Sequence, residues 1–246
     1  MLNNVSIILV RPQMGENIGA TARVMKNFGI KDLRLVAPRD GWPNTKAHEM
    51  AAKADDIIEN AQVFDSVEAA IADLNFVAAT ASKSRDMVKN IISPEKFAEI
   101  AGSMGDGKKP QKIGIMFGKE SHGLDNEDIS FCNVHVSIPV SAEYDSMNLA
   151  MAVCLVCYEV FKNANELKEK RAGNDNEVGS EGMSTRSDIS DMIKFLEKEL
   201  TEKNFFSTPE KKPGMMVNIR NIFTRHFYTQ QEVRTLRGIF KALGKK

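Results

Sequence analysis

The 246-residue chain is long enough to bury a sizeable core, and 42% hydrophobic with 27% charged residues is the composition of a soluble globular protein. Net charge is zero but unevenly spread: from residue 205 onward nine Lys/Arg stand against two Glu, a balance of +7, which leaves −7 for the first 204 residues. A six-residue apolar run at 5–10 with Arg11 directly after it is neither signal peptide nor membrane span, and three cysteines without disulfide spacing (Cys132, Cys154, Cys157) fit a reducing cytoplasm.

Short apolar runs alternate with helical patterns. "VSIILV" (5–10), "DLRLVAP" (32–38), "NFVAATA" (75–81), "KIGIMFG" (112–118) and "VHVSIPV" (134–140) read as strands. They are nearly continuously apolar, so both sheet faces should be covered, the α/β pattern of a doubly wound, mainly parallel sheet. Residues 18–28 read as a helix stopped by Gly29, "TKAHEMAAKADDIIENA" (45–61) as one continuous helix, and "SPEKFAEIA" as a helix with Ser93 as cap and Pro94 in its first turn. The helix from Ser146 is apolar nearly all round, Cys154 and Cys157 included. Such a helix is buried on every side, which points to a subunit interface and a homodimer.

Residues 165–186 are charged and glycine-containing and read as a linker between a domain at 1–164 and a helical unit at 187–246. That unit should hold three helices, opening at Ser187 or Ser190, at Pro213 and at Thr229, with Gly244 as the final stop. Its basic balance suggests a polyanionic partner, nucleic acid ahead of membrane, with Arg220, Arg225, Arg234 and Arg237 as candidate phosphate contacts.

Chemistry in a parallel α/β sheet sits in the loops at the carboxyl ends of the strands. The first such loop, "MGENIGATARVMKNFG", has Gly15 and Gly19 four apart and contains neither GxGxxG nor GK[ST], so it is not a standard nucleotide cradle. The glycines are expected to give an RNA backbone room beside Asn17 and Arg23. His48, His122, His135 and His226 are too scattered to suggest a metal site, and no metal is expected.

"NIGATAR", "FGKESHGL" and "IPVSAEYDSMNLAMA", in this order and spacing, resemble the three motifs of the SPOUT superfamily, specifically the TrmH-like RNA 2'-O-ribose methyltransferases. With "ATASKSR" after the third strand and a helical C-terminal extension, the arrangement is similar to the bacterial TrmJ branch, strongly over 1–164 and weakly beyond. The resemblance implies a C-terminal trefoil knot, S-adenosylmethionine (AdoMet) as methyl donor, a site shared across a homodimer, and tRNA as substrate, at cytidine or uridine 32 of the anticodon loop. Carried over by motif, the cofactor contacts are Thr80, Ala81, Ser82, Gly118, Ile138, Asp145, Ser146 and Met147. The catalytic set is Asn17, Arg23, Glu120, Ser146 and Asn148, with Arg23 also touching RNA. The family account has this arginine activating the 2'-hydroxyl, even as a base. Deprotonating an arginine at pH 7 costs about 7 kcal/mol, so a charged Arg23 that orients phosphate and stabilises the developing alkoxide is the better reading. An rRNA methyltransferase and a non-catalytic RNA-binding module are the alternatives.

Overall fold

The computed structural model describes residues 2–80, 89–105, 110–144, 146–171, 182–206 and 208–244. Seven parallel strands form one sheet: β1 (Val5–Val10), β2 (Asp32–Val36), β3 (Gln62–Phe64), β4 (Phe76–Thr80), β5 (Asn90–Ile92), β6 (Ile113–Phe117) and β7 (Val134–Val136). Their order across it is β3-β2-β1-β6-β4-β7-β5. The inner strands are as apolar as the sequence indicates because both faces are covered. Ile7 and Leu9 pack into the larger core on one side, Ile8 and Val10 into a second core on the other.

Helices α1 (Gly15–Asn27), α2 (Thr45–Ala51), α3 (Asp55–Glu59), α5 (Pro94–Gly105) and α7 (Leu149–Arg171) supply the larger core. α4 (Val67–Ile71) and α6 (Asn126–Ser130) supply the smaller. The helix expected over 45–61 is two helices, because Ala52 and Lys53 adopt left-handed φ of 44° and 75° between α2 and α3. Gly15 and Gly19 also differ from expectation. A Cβ at Gly15 would lie 2.1 Å from Asn44 Oδ1, and one at Gly19 2.3 Å from the Ala47 carbonyl oxygen. Both glycines exist so that α1 and α2 can touch, and they leave no room for RNA.

The C-terminal unit comprises α8 (Arg186–Glu202), a 3₁₀ turn (Pro209–Lys211), α9 (Lys212–Thr224) and α10 (Gln230–Gly244), around a small core of Ile189, Met192, Ile193, Met216 and Val233. Thr185, not Ser187 or Ser190, caps α8, exchanging side-chain and backbone hydrogen bonds with Asp188. Thr229 and Glu232 form the same box at the head of α10.

This unit is docked on the sheet domain. The Arg186 and Ser187 N–H groups donate to the Leu74 and Ala72 carbonyls at 2.7 and 3.0 Å, and Phe227 stacks on Phe76 with centroids 5.4 Å apart. The carbonyl end of α6 anchors the rest. The Thr224 hydroxyl donates to the Ser130 carbonyl (2.6 Å), the Asn133 amide to the Thr224 carbonyl (3.0 Å), and the Arg186 guanidinium to the Phe131 carbonyl. Lys89 Nζ donates to the Cys132 carbonyl and to Thr224 Oγ1. Cations are favoured at a helix C-terminus. Even so, burial, joined by repulsion from Arg186 and Arg225, pushes the Lys89 ammonium down to about 7, and burial pushes Arg186 down to about 10.

The pH consequence follows. Below about pH 7 Lys89 is charged in both docked and undocked states and its burial penalty is fully present. Between there and its solvated value of 10.5 docking releases a proton, so the docked state gains about 1.4 kcal/mol per pH unit. Hydrogen exchange of α8 and α9 amides should therefore slow from pH 7 to 9, after correction for intrinsic rates, and Lys89→Met should remove that dependence. An unchanged slope in the variant refutes the assignment to Lys89.

Candidate active site

The end of β4, the loops after β6 and β7 and the head of α7 surround a cavity of about 350 Å³ at the carboxyl ends of the central strands. Its walls include Thr80, Phe117, Gly118, Glu120, Leu124, Ile138, Val140, Ser146, Met147 and Leu149. Thr80 is held to the sheet, its hydroxyl donating to the Met116 carbonyl at 3.0 Å. Gly118 is required by the loop's own closure, since a Cβ there would lie 2.1 Å from the Gly123 carbonyl carbon and 2.2 Å from Leu124 N.

Three of the expected catalytic residues form one directed line of hydrogen bonds. Asn148 caps α7, its Oδ1 accepting from the Ala150 N–H (2.9 Å) and, at longer range, from Met151 (3.4 Å). That fixes the other side of its amide as the donor, and Nδ2 donates to Asn17 Oδ1 at 3.0 Å. The Asn17 amide is then fixed in turn, and its Nδ2 donates to Glu120 Oε1 at 2.8 Å. Glu120 Oε2 accepts the Gln13 N–H at 2.8 Å. Both carboxylate oxygens thus already hold protein donors, which suits Glu120 to organising the loop better than to taking a proton.

The structure places the other expected residues as follows. Ser146 and Met147 line the cavity with Thr80, Gly118 and Ile138. Ala81, Ser82 and Asp145 lie outside the described residues. Arg23 does not join its own chain's set. Six residues beyond Asn17, it lies about 9 Å further along α1 and about 120° round the axis, exposed and without an ion pair to any described residue. Of the four C-terminal arginines expected to meet RNA, Arg234 and Arg237 are exposed on α10. Arg220 instead donates to Ser130 Oγ at 3.0 Å and stacks over Phe131, and Arg225 is half-buried beside Lys89, so these two belong to the domain joint. Residue-type reasoning did not single out Arg11 or Gln13. The signal was their position in the loop directly after β1.

Among the described residues no helix is long and apolar enough to cross a membrane, and no group of three or more His, Cys, Asp or Glu could hold a metal ion. The long helix α7 is not covered on every side. Met151, Leu155, Tyr158 and Phe161 are 65, 41, 49 and 38% exposed at spacings of four, three and three, one open apolar stripe.

Residues 4–158 match the SpoU rRNA methylase family, and residues 187–246 match the C-terminal domain of the tRNA methyltransferase TrmJ. The chain is 34% identical over 246 residues to the tRNA (cytidine/uridine-2'-O-)-methyltransferase TrmJ of Photorhabdus laumondii, covering all of this chain and 98% of that one. The crystal structure of TrmJ from Z. mobilis ZM4 superposes with a TM-score of 0.85 at 38% identity, over 98% of this chain and 99% of that chain. A probable methylase family protein from Haemophilus influenzae superposes at 0.65 and 30% identity, over 99% and 97%.

The hydrogen-bond line makes a stability prediction independent of chemistry. Asn148→Ser keeps a side-chain acceptor for the first N–H groups of α7, whereas Asn148→Ala has none, and both lose the amide donor to Asn17, so in denaturant titrations the alanine variant should be about 1 kcal/mol less stable than the serine one. Equal losses for both would show that Asn148 does not act as a cap.

Proposed function

This chain belongs to the SpoU rRNA methylase family, and from that premise we propose that it is a tRNA (cytidine/uridine) 2'-O-methyltransferase that uses AdoMet and acts at position 32 of the anticodon loop. The observation that carries the reading is the Asn148–Asn17–Glu120 line at the mouth of a cavity of cofactor size, in a chain similar to tRNA 2'-O-methyltransferases over its whole length. The match of residues 187–246 to the TrmJ C-terminal domain favours tRNA over ribosomal RNA.

The residues present fit the cofactor. A cavity of about 350 Å³ is within the range of small-molecule sites, its Phe117, Leu124, Ile138 and Leu149 walls suit a flat adenosyl group, and Thr80 and Ser146 offer hydroxyls. AdoMet bound there supplies a methyl group on a positively charged sulfur. Reaction with a ribose hydroxyl then requires an aligned oxygen and a partner for the charge it develops. Asn17 and Asn148 each keep a second amide N–H beyond the line that fixes them, and these can orient the ribose. Arg23 stays charged, holds the adjacent phosphate and stabilises the alkoxide. It lies on a different face of α1 from Asn17, and a homodimer closed over the Met151–Leu155–Tyr158–Phe161 stripe lets it serve the second subunit's site. In this reading the segment through α7 is the trefoil knot of the superfamily.

The C-terminal unit grips tRNA through Arg234, Arg237 and Lys241. They lie three and four residues apart along α10, exposed and without ion pairs to any described residue.

Mapping of ribose methylation on a tRNA transcript with cytidine at 32 tests the activity, and absence of AdoMet-dependent methylation refutes it. Arg23→Ala should lose about 100-fold in kcat/KM with cofactor affinity unchanged. Exchanging subunits between Arg23→Ala and Asn17→Ala dimers should restore methylation, and no recovery sinks the shared site. Replacing Arg234, Arg237 and Lys241 together by alanine should lower the slope of log affinity for tRNA against log salt by about 2 to 3. An unchanged slope sends the grip elsewhere.

A further inference from the structure

The β6–α6 loop that walls the cavity contains glycines at both ends of its turn, and within it the Gly123 N–H closes on the Lys119 carbonyl at 2.8 Å. The loop after β1 binds that turn from outside at two points. The Gln13 N–H donates to Glu120 Oε2 at 2.8 Å, while Gln13 Oε1 accepts the Ser121 N–H at 3.2 Å, so one residue binds two successive residues of the turn through its main chain and its side chain. Two residues earlier, the Arg11 guanidinium reaches the far end of the same loop, donating to Asp125 at 3.0 Å and to Asp128. Asp128 is buried and also accepts the Asp125 N–H at 2.9 Å in the box that starts α6. Arg11 holds φ at 51°, a conformation that a side-chain-bearing residue adopts at a cost of about 1 kcal/mol or more. Its backbone N–H is tied to the Val36 carbonyl at 2.8 Å, so surrounding structure sustains that geometry.

We propose that Arg11 and Gln13 are positioning residues that clamp the β6–α6 loop at its two ends and so set the shape of the AdoMet cavity, without touching cofactor or RNA themselves. The proposal rests on the methyltransferase reading for the identity of the ligand, and on hydrogen bonds alone for the clamp. Arg11 acts as a charge-assisted tether to a buried carboxylate. The Gln13 main-chain N–H holds Glu120 whatever the side chain, and it is the side-chain bond to the Ser121 N–H that Gln13→Ala removes.

Calorimetric binding of AdoMet, steady-state kinetics and amide hydrogen exchange test this together on the full-length protein. Arg11→Ala and Gln13→Ala should each weaken AdoMet about tenfold, raising its KM with kcat at saturation within about twofold and tRNA affinity unchanged. Arg11→Lys should recover part of the loss, because it keeps a charge for Asp128. Exchange at Ser121 and Gly123 should quicken in Gln13→Ala while the β1 amides stay protected. Unchanged cofactor affinity in both alanine variants overturns the clamp, as does an equal loss of tRNA and cofactor affinity, which would mark general loosening. If the unaltered protein binds no AdoMet, the functional reading falls instead, and the Ser121 and Gly123 exchange rates still decide the clamp.

Discussion

The carboxylate of Glu120 is the point on which the site depends, because three stretches of chain far apart in sequence meet there. Asn17 reaches it across 103 residues, and Asn148 reaches Asn17 across 131. A half-buried carboxylate must be given donors, and here they come from the loop after β1 and the first turn of α1. Each amide in the line has its orientation imposed by the one before, and the first is imposed by the free N–H groups at the head of α7. The start of a helix thus orders polar groups more than a hundred residues away.

The central strands were legible because burial on both faces leaves little choice but apolar residues. β3 and β5 were not, because three residues paired on one side only carry too short a signal, and "QVF" and "NII" resemble loop. The break between α2 and α3 is invisible for a different reason. Alanine and lysine announce nothing, and only tertiary packing makes Ala52 and Lys53 left-handed. The motifs fall on segments that line or adjoin the cavity, but they do not give the reason for each residue in them. Gly15 and Gly19 look like room for a ligand, and it takes Asn44 and Ala47 in place to see helix contact instead.

Charge counting erred in a similar way. The +7 balance after residue 204 reads as one basic surface, yet Lys212 pairs with Glu197 at 2.9 Å and Arg220 lies over Phe131 at the domain joint. The buried cations at that joint, Lys89 and Arg186, meet backbone carbonyls, whereas the exposed Lys194 pairs with the Glu68 carboxylate at 3.0 Å. Carbonyl dipoles at the end of a short helix compensate buried charge only in part, and the depressed Lys89 value is the measure of what remains. A C-terminal unit with a core this small is stable in large part because it is docked, so its orientation toward the site is built into the sheet domain rather than left to a tether.

Arg23 shows how far geometry constrains mechanism once the chain is folded. A base must lie within reach of the proton that it takes, and its protonated form must not be overwhelmingly favoured. The exposed Arg23 guanidinium does not meet the first within one subunit: it lies about 120° round α1 from Asn17 and joins no bond of the Asn148–Asn17–Glu120 line. The same exposure is what a phosphate ligand needs, since a cation already committed to an internal partner would have to give that partner up before meeting RNA. Unpaired charge on α1 and an uncovered apolar stripe on α7 are both surfaces that a single chain leaves open, and the proposed homodimer with bound tRNA accounts for the two together.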